Sequence, residues 1–181
     1  VDLRHGTWQD PKRGEILLQQ WVREWLPTRH DLRATTKARL ELTMAKQVLP
    51  RFGAAPLGSI TNGAIRRWVS DLLDQGLSAA STRKAVFALR QALEAAMADG
   101  RILHNPADKV PLPSERQKRA RFLSQQEVER LVSELSDHDR ALVLVGAYGG
   151  LRWGEAAGLR RRDVDPLRSR IRVEGTAVQL G

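Results

Sequence analysis

Arg152 and Glu155 stand three residues apart in the run Gly149-Gly150-Leu151-Arg152-Trp153-Gly154-Glu155-Ala156-Ala157-Gly158-Leu159. The paired glycines break an apolar helical stretch, and an arginine just past such a break can be held with its guanidinium pointing outward at one phosphate. Attack on a phosphodiester builds negative charge on the nonbridging oxygens, which a fixed two-pronged cation stabilises better than mobile solvent does. Glu155 falls on the same helical face and can orient that guanidinium. The same spacing also describes an ordinary i, i+3 salt bridge worth about a few tenths of a kcal/mol.

Other chemistries are poorly served. The chain has no cysteine, so disulfides, thiol catalysis and thiolate metal sites are excluded. His5, His30, His104 and His138 lack the spacings that set two metal ligands on one helix face, so no metal site is expected. Thirty Lys and Arg against 21 Asp and Glu leave a net charge of +9, and only six of the thirty are lysine. That balance favours a polyanionic partner, and the arginine fork is the side chain that grips phosphate in two places. The longest apolar run, Ala141 to Ala147, is too short to span a bilayer. With no signal segment the expectation is a soluble, cytoplasmic, nucleoid-associated protein. A start at Val1 and a stop at Gly181, inside an expected strand, suggest a piece of a longer polypeptide.

The 181 residues have room for one medium or two small domains. A turn-rich opening, Gly6 to Gly14 with Pro11, leads to Leu17, Trp21 and Trp25 at four-residue spacing, an amphipathic helix ending at Pro27. A second helix, capped by Thr35 or Thr36, is expected to bury Ala38, Leu42, Ala45 and Leu49 and to stop at Pro50 and Gly53. The third opens at Thr61, carries Ile65, Trp68, Val69, Leu72 and Leu73, and ends at Gly76; the fourth runs from about Ser78 to Asp99 on Val86, Leu89, Leu93 and Met97, with Gly100 as terminator. Trp21, Trp25 and Trp68 lie at core spacing. Asn105-Pro106 and Pro111-Leu112-Pro113 break the helical pattern ahead of a basic stretch with Arg116, Lys118, Arg119 and Arg121, which reads either as a solvated linker or as a strap across a phosphate backbone. Ser124 and Glu127 form a capping box, with Leu123 and Val128 as its hydrophobic staple. A helix from about His138 to Tyr148 reads as buried on most sides, Tyr148 included. A short helix follows around Gly154 to Leu159, and the alternation Arg170-Ile171-Arg172-Val173-Glu174 marks a half-buried strand.

The Gly-Leu-Arg-x-Gly-Glu run with Leu159 and the Asp163-Val164-Asp165 turn resembles the first catalytic box of the tyrosine recombinases, or phage-type integrases, in an actinobacterial and mycophage-like style. Leu49-Pro50-Arg51-Phe52-Gly53, Pro56-Leu57-Gly58-Ser59-Ile60-Thr61, Leu103-His104-Asn105-Pro106 and Leu123-Ser124 resemble further family blocks in the same order, so the likeness covers nearly the whole chain. It implies a mainly α fold: a four-helix SAM-like core-binding domain over 1–112, a basic linker over 113–122, and over 123–181 the truncated start of an α+β catalytic domain. It implies site-specific recombination, in which a tyrosine attacks a DNA phosphate to give a 3′-phosphotyrosine link, with no cofactor. Arg152 would be the first catalytic arginine and Glu155 the acid that supports it. The nucleophile, the hairpin lysine and the His-x-x-Arg box are expected beyond this sequence, so the chain alone should be inactive.

By the same likeness, Thr36, Lys37 and Arg39 on the second helix and Ser81, Thr82, Arg83, Lys84 and Arg90 on the fourth would face double-stranded core-site DNA. The linker cations Arg116, Lys118, Arg119 and Arg121 would join them. The full-length recombinase would act as a homotetramer, and the fragment alone would be a monomer. A non-catalytic sequence-specific DNA-binding protein or a truncated recombinase relative is the alternative.

Overall fold

Helix α1 (Leu18–Trp25) begins where two carbonyls are waiting for it. The Leu18 and Gln19 N–H groups, which no helical turn can satisfy, donate to Ala55 O at 2.9 Å and Gly53 O at 3.0 Å. The computed structural model describes residues 14–114 and 121–177, apart from the side chain of residue 138. The expected opening turn from Gly6, His5, and the linker cations Arg116, Lys118 and Arg119 lie outside them. The chain divides into two units, Val1–Gln117 and Lys118–Gly181.

In the first unit α1 is followed by α2 (Ala34–Thr43), a π-helical stretch Met44–Val48, and α3 (Leu49–Phe52), so one helical run passes through Pro50 to Gly53. Pro50 does not stop it, contrary to expectation. The Leu49 N–H reaches back five residues to Met44 O, and this wider turn directly precedes the residue that has no N–H to give. The same bulge corrects the buried face. Leu40, Met44, Val48 and Phe52 enter the core, whereas Ala38 and Ala45 are exposed and Leu42 is 53% exposed. Four-residue steps drift by about 40° each on a regular helix of 3.6 residues per turn, and the underwound π-turn offsets that drift.

Helices α4 (Asn62–Asp74) and α5 (Ala79–Ala98) are capped by Thr61, whose Oγ1 accepts from Ala64 N, and Ser78, whose Oγ accepts from Ser81 N. Both close on left-handed glycines, Gly76 at φ 85° and Gly100 at φ 68°. Each closure places the following N–H on an earlier carbonyl, Leu77 N on Leu72 O and Arg101 N on Ala96 O. The core holds Trp21, Trp25 and Trp68, with Phe52 edge-on to Trp68 at 5.2 Å. Trp21 donates its indole N–H to Ala92 O at 2.7 Å, which ties α1 to α5. Asn105 is buried and fastens the exit segment: its amide donates to Arg90 O and Glu94 Oε2, and its carbonyl oxygen accepts from Ala107 N.

The second unit contains α6 (Gln125–Ser133), α7 (Asp137–Gly149), α8 (Trp153–Ala157) and a two-stranded antiparallel ribbon of β1 (Val164–Asp165) and β2 (Arg170–Ile171). The Ser124–Glu127 capping box forms in full. Val128 is buried, but Leu123 stays half exposed, so the staple is open. Helix α7 is not buried on most sides: Leu144 is exposed and Tyr148 is 61% exposed, because no other described element covers that face. The expected half-buried strand reduces to Arg170–Ile171, both exposed, since its described partner is only two residues long. Among the described residues, no helix is long and apolar enough to cross a membrane.

Candidate nucleic-acid interface and catalytic box

Gly150, at φ 68°, takes the left-handed cap that ends α7, and two residues later Arg152 stands in extended conformation as the N-cap of α8. Glu155, at the third helical position, turns back so that its Oε2 accepts the Arg152 backbone N–H at 2.8 Å. Its Oε1 accepts from the Arg152 guanidinium at 3.2 Å. The backbone N–H is the larger influence holding the Glu155 carboxyl below the usual carboxylate range, with the guanidinium adding to it. Glu155 is thus both the helix cap and the guanidinium's partner. Apart from that one contact the Arg152 side chain is open, 88% of its surface being exposed.

Two glycines of the box serve packing. A Cβ on Gly154 would lie 2.6 Å from Thr176 Cγ2 and 3.0 Å from Ala177 O, and one on Gly158 would lie 2.9 Å from Ala177 N. Their bareness lets residues 175–177 run against α8, where Ala177 N donates to Gly154 O at 2.8 Å. Sequence reasoning treats these glycines only as part of a pattern, although two glycines four residues apart on a helix are themselves the signal for a close backbone neighbour. An apolar groove of about 550 Å³ opens beside the box, lined by Leu142, Val145, Trp153, Ala156 and Leu159. Arg161–Asp163 form a 3-10 turn that Arg160 caps, with Arg160 N donating to Asp163 Oδ2 at 2.8 Å.

In the first unit, Thr36 and Arg39 are exposed and Lys37 is half-buried on the first turns of α2. On α5, Ser81, Lys84 and Arg90 are exposed and Arg83 is half-buried, its guanidinium 3.5 Å from Pro113 O. Arg90 pairs with Asp108 at 2.9 Å. Thr82 must be removed from the expected surface. It is wholly buried, with an Oγ1 that finds no hydrogen-bond partner among the described residues. One step along the helix from Ser81 turns the side chain by about 100° into the core. Phe87, which composition and periodicity did not single out, is 42% exposed on the same face as Arg83, Lys84 and Arg90. Arg29, ahead of α2, donates to Gln91 on that face at 3.0 Å. Of the linker cations only Arg121 is described, and it pairs with Glu127.

A helical unit with cationic helix faces is thus followed by a Gly-Leu-Arg-x-Gly-Glu box at the start of a short helix. Residues 17–73 match the family described as phage integrase, N-terminal SAM-like domain. It is 28% identical over 169 residues to the integrase of Mycobacterium phage D29, covering 92% of this chain and 44% of that protein. It is 30% identical over 116 residues to the tyrosine recombinase XerC of Bacillus subtilis, covering 61% of this chain and 38% of that one. The chain thus spans about half, or less, of the length of the curated relatives it matches. Its fold is similar to that of a lambda integrase dimer bound to a COC′ core site, at a TM-score of 0.75 and 20% identity over 91% of this chain and 49% of the other. The Tn1549 transposon integrase in complex with circular intermediate DNA gives 0.67 and 23%, over 83% and 52%.

Proposed function

We propose that this chain is the core-site-binding portion and the opening of the catalytic domain of a site-specific DNA recombinase, which cleaves and rejoins strands through a phosphotyrosine link. The observation that carries the proposal is the outward face of α5, where Lys84 is exposed beside half-buried Arg83 and, two turns on, Arg90 is exposed and paired with Asp108. Phosphate contacts from such a face supply affinity and register on a duplex. Thr36, Lys37 and Arg39 on α2 and Ser81 on α5 extend the interface, and Arg116, Lys118, Arg119 and Arg121 add phosphate contacts. Arg152 is the first catalytic arginine. It binds the nonbridging oxygens of the scissile phosphate, and Glu155 positions it through the cap. Tyr148, the sole tyrosine, lies four residues ahead of Arg152 and is not the nucleophile, so this chain alone binds DNA without cleaving it. In the complete recombinase four such chains assemble on two duplexes; alone the fragment is monomeric. Its place is the cytoplasm, on the nucleoid.

Binding and chemistry separate under mutation. Reversing Arg83 and Lys84 to Glu is expected to lower duplex affinity at least about tenfold, or 1.4 kcal/mol, in a salt-controlled anisotropy titration. Arg152→Ala should hardly change it. Equal losses from both variants would overturn this division of roles.

A further inference from the structure

Phe87 is surrounded on α5 by Arg83 at i−4, Lys84 at i−3, Arg90 at i+3 and Gln91 at i+4, the four positions that are its neighbours on a helix surface. All four are exposed or half-exposed, the other flank of the helix is buried through Ala85, Val86, Ala88 and Leu89, and Phe87 itself keeps 42% of its surface open. The ring of neighbours has three cations and no acid. The carboxylates that meet this patch are already engaged: Asp108 pairs with Arg90, Asp31 pairs with the Arg29 that donates to Gln91, and Glu94 accepts from Asn105. A large apolar ring at the centre of a cationic patch has no use in gripping phosphates, which the surrounding side chains already do. Covering the ring with an apolar group would be favourable, and the cations around it suit such a group set in an anionic surface.

We infer that Phe87 is a specificity residue of the duplex interface, and that it packs on the 5-methyl group of a thymine in the major groove while Arg83, Lys84 and Arg90 hold the flanking phosphates. This rests on the proposed duplex binding by α5. Residues 83 to 91 cover about 12 Å of helix at 1.5 Å per residue, a little more than three base-pair steps, so a central side chain reaches base edges while the outer ones reach backbone. In the major groove thymine alone offers a methyl group, and an aromatic ring that neither donates nor accepts can distinguish bases by that methyl.

The test begins with selection of sites from a randomised duplex library by the 181-residue chain, followed by replacement of each enriched thymine with uracil, which removes only the methyl. At one position uracil is expected to weaken binding by the wild-type chain about fourfold, the value of one buried methyl group. In Phe87→Ala that penalty should vanish, while the variant keeps its salt dependence because the cations remain. Phe87→Leu, which restores an apolar contact on an intact helix, should recover part of it. A uracil penalty unchanged in Phe87→Ala, or absent at every thymine in the wild type, overturns the assignment of Phe87. Binding that ignores charge reversal at Arg83 and Lys84 would instead overturn the duplex interface itself, so the two failures are distinguishable.

Discussion

Glu155 holds Arg152 at two places at once, by the backbone N–H at 2.8 Å and by the guanidinium at 3.2 Å. The first contact starts α8 and the second engages a guanidinium, so one carboxylate serves both as a local helix cap and as the partner of the arginine it caps. Such coupling explains why the two residues must be three apart: an acid at the third helical position is where a cap reaches back to the N-cap amide.

The pH dependence of this contact has a definite sign. The Arg152 N–H holds the Glu155 carboxyl below the usual carboxylate range, so the contact is fully present above the ordinary glutamate value of about 4.3 and is lost as pH falls through the lower folded value. The Arg152 amide resonance should therefore titrate with a midpoint below about 4.3 in an NMR pH series. In Glu155→Gln, which can still accept the N–H but cannot ionise, that titration should disappear. A midpoint at or above the ordinary value would show that the carboxylate does not make this bond.

Trp21 joins three parts of the first unit. It is buried, donates to Ala92 O on α5 at 2.7 Å, and carries Arg101 over its ring at 4.7 Å. Trp21→Phe keeps most of the apolar contact but loses the hydrogen bond, and should cost about 1–2 kcal/mol in urea denaturation. Trp21→Ala adds the cavity and should cost about 3–5 kcal/mol. Equal costs for the two would mean that the hydrogen bond, and not the packing of the ring, decides the stability at this position.

The glycines offer a contrast within one chain. Gly154→Ala drives a methyl to 2.6 Å from Thr176 and 3.0 Å from the Ala177 carbonyl, so residues 175–177 must move off α8, at about 1–3 kcal/mol. Faster amide exchange at Ala177, whose N–H donates to Gly154 O, would report it directly. Gly63→Ala, in the first turn of α4, meets only the Arg67 guanidinium at 3.8 Å and should stabilise by about 0.5–1 kcal/mol. If both substitutions act alike, the close approach of 175–177 to α8 is not what requires Gly154.

Helix ends and the tryptophan core are legible in the sequence because each rests on a local rule: Ser and Thr caps, left-handed glycines after α4 and α5, aromatic spacing on one face. The buried face of α2 is not. Both Ala38-Leu42-Ala45-Leu49 and Leu40-Met44-Val48-Phe52 are apolar series, and only the π-turn ahead of Pro50 decides between them, a feature that regular helical spacing does not contain. In the second unit the capping box is legible and the exposure of α7 is not, because an apolar run states what would favour burial and not what is there to cover it. At the site, the Arg152–Glu155 contact follows from spacing, while the packing role of Gly154 and Gly158 depends on residues 175–177, some twenty positions away.

Thr82 lies between exposed Ser81 and half-buried Arg83, yet is itself wholly buried with an Oγ1 that has no partner among the described residues. A buried hydroxyl without a partner carries the cost of its lost hydration, whereas valine has nearly the same shape and no polar atom. Thr82→Val should therefore leave the first unit as stable as before or raise its stability by about 1 kcal/mol, measured by urea denaturation. It should also leave duplex affinity unchanged, because a residue in the core cannot touch a groove. Adjacent charge reversal at Arg83 and Lys84 provides the comparison, with its expected tenfold loss or more. A loss of that size from Thr82→Val without unfolding would place its hydroxyl at the DNA, and the face of α5 would then have to be turned by one residue.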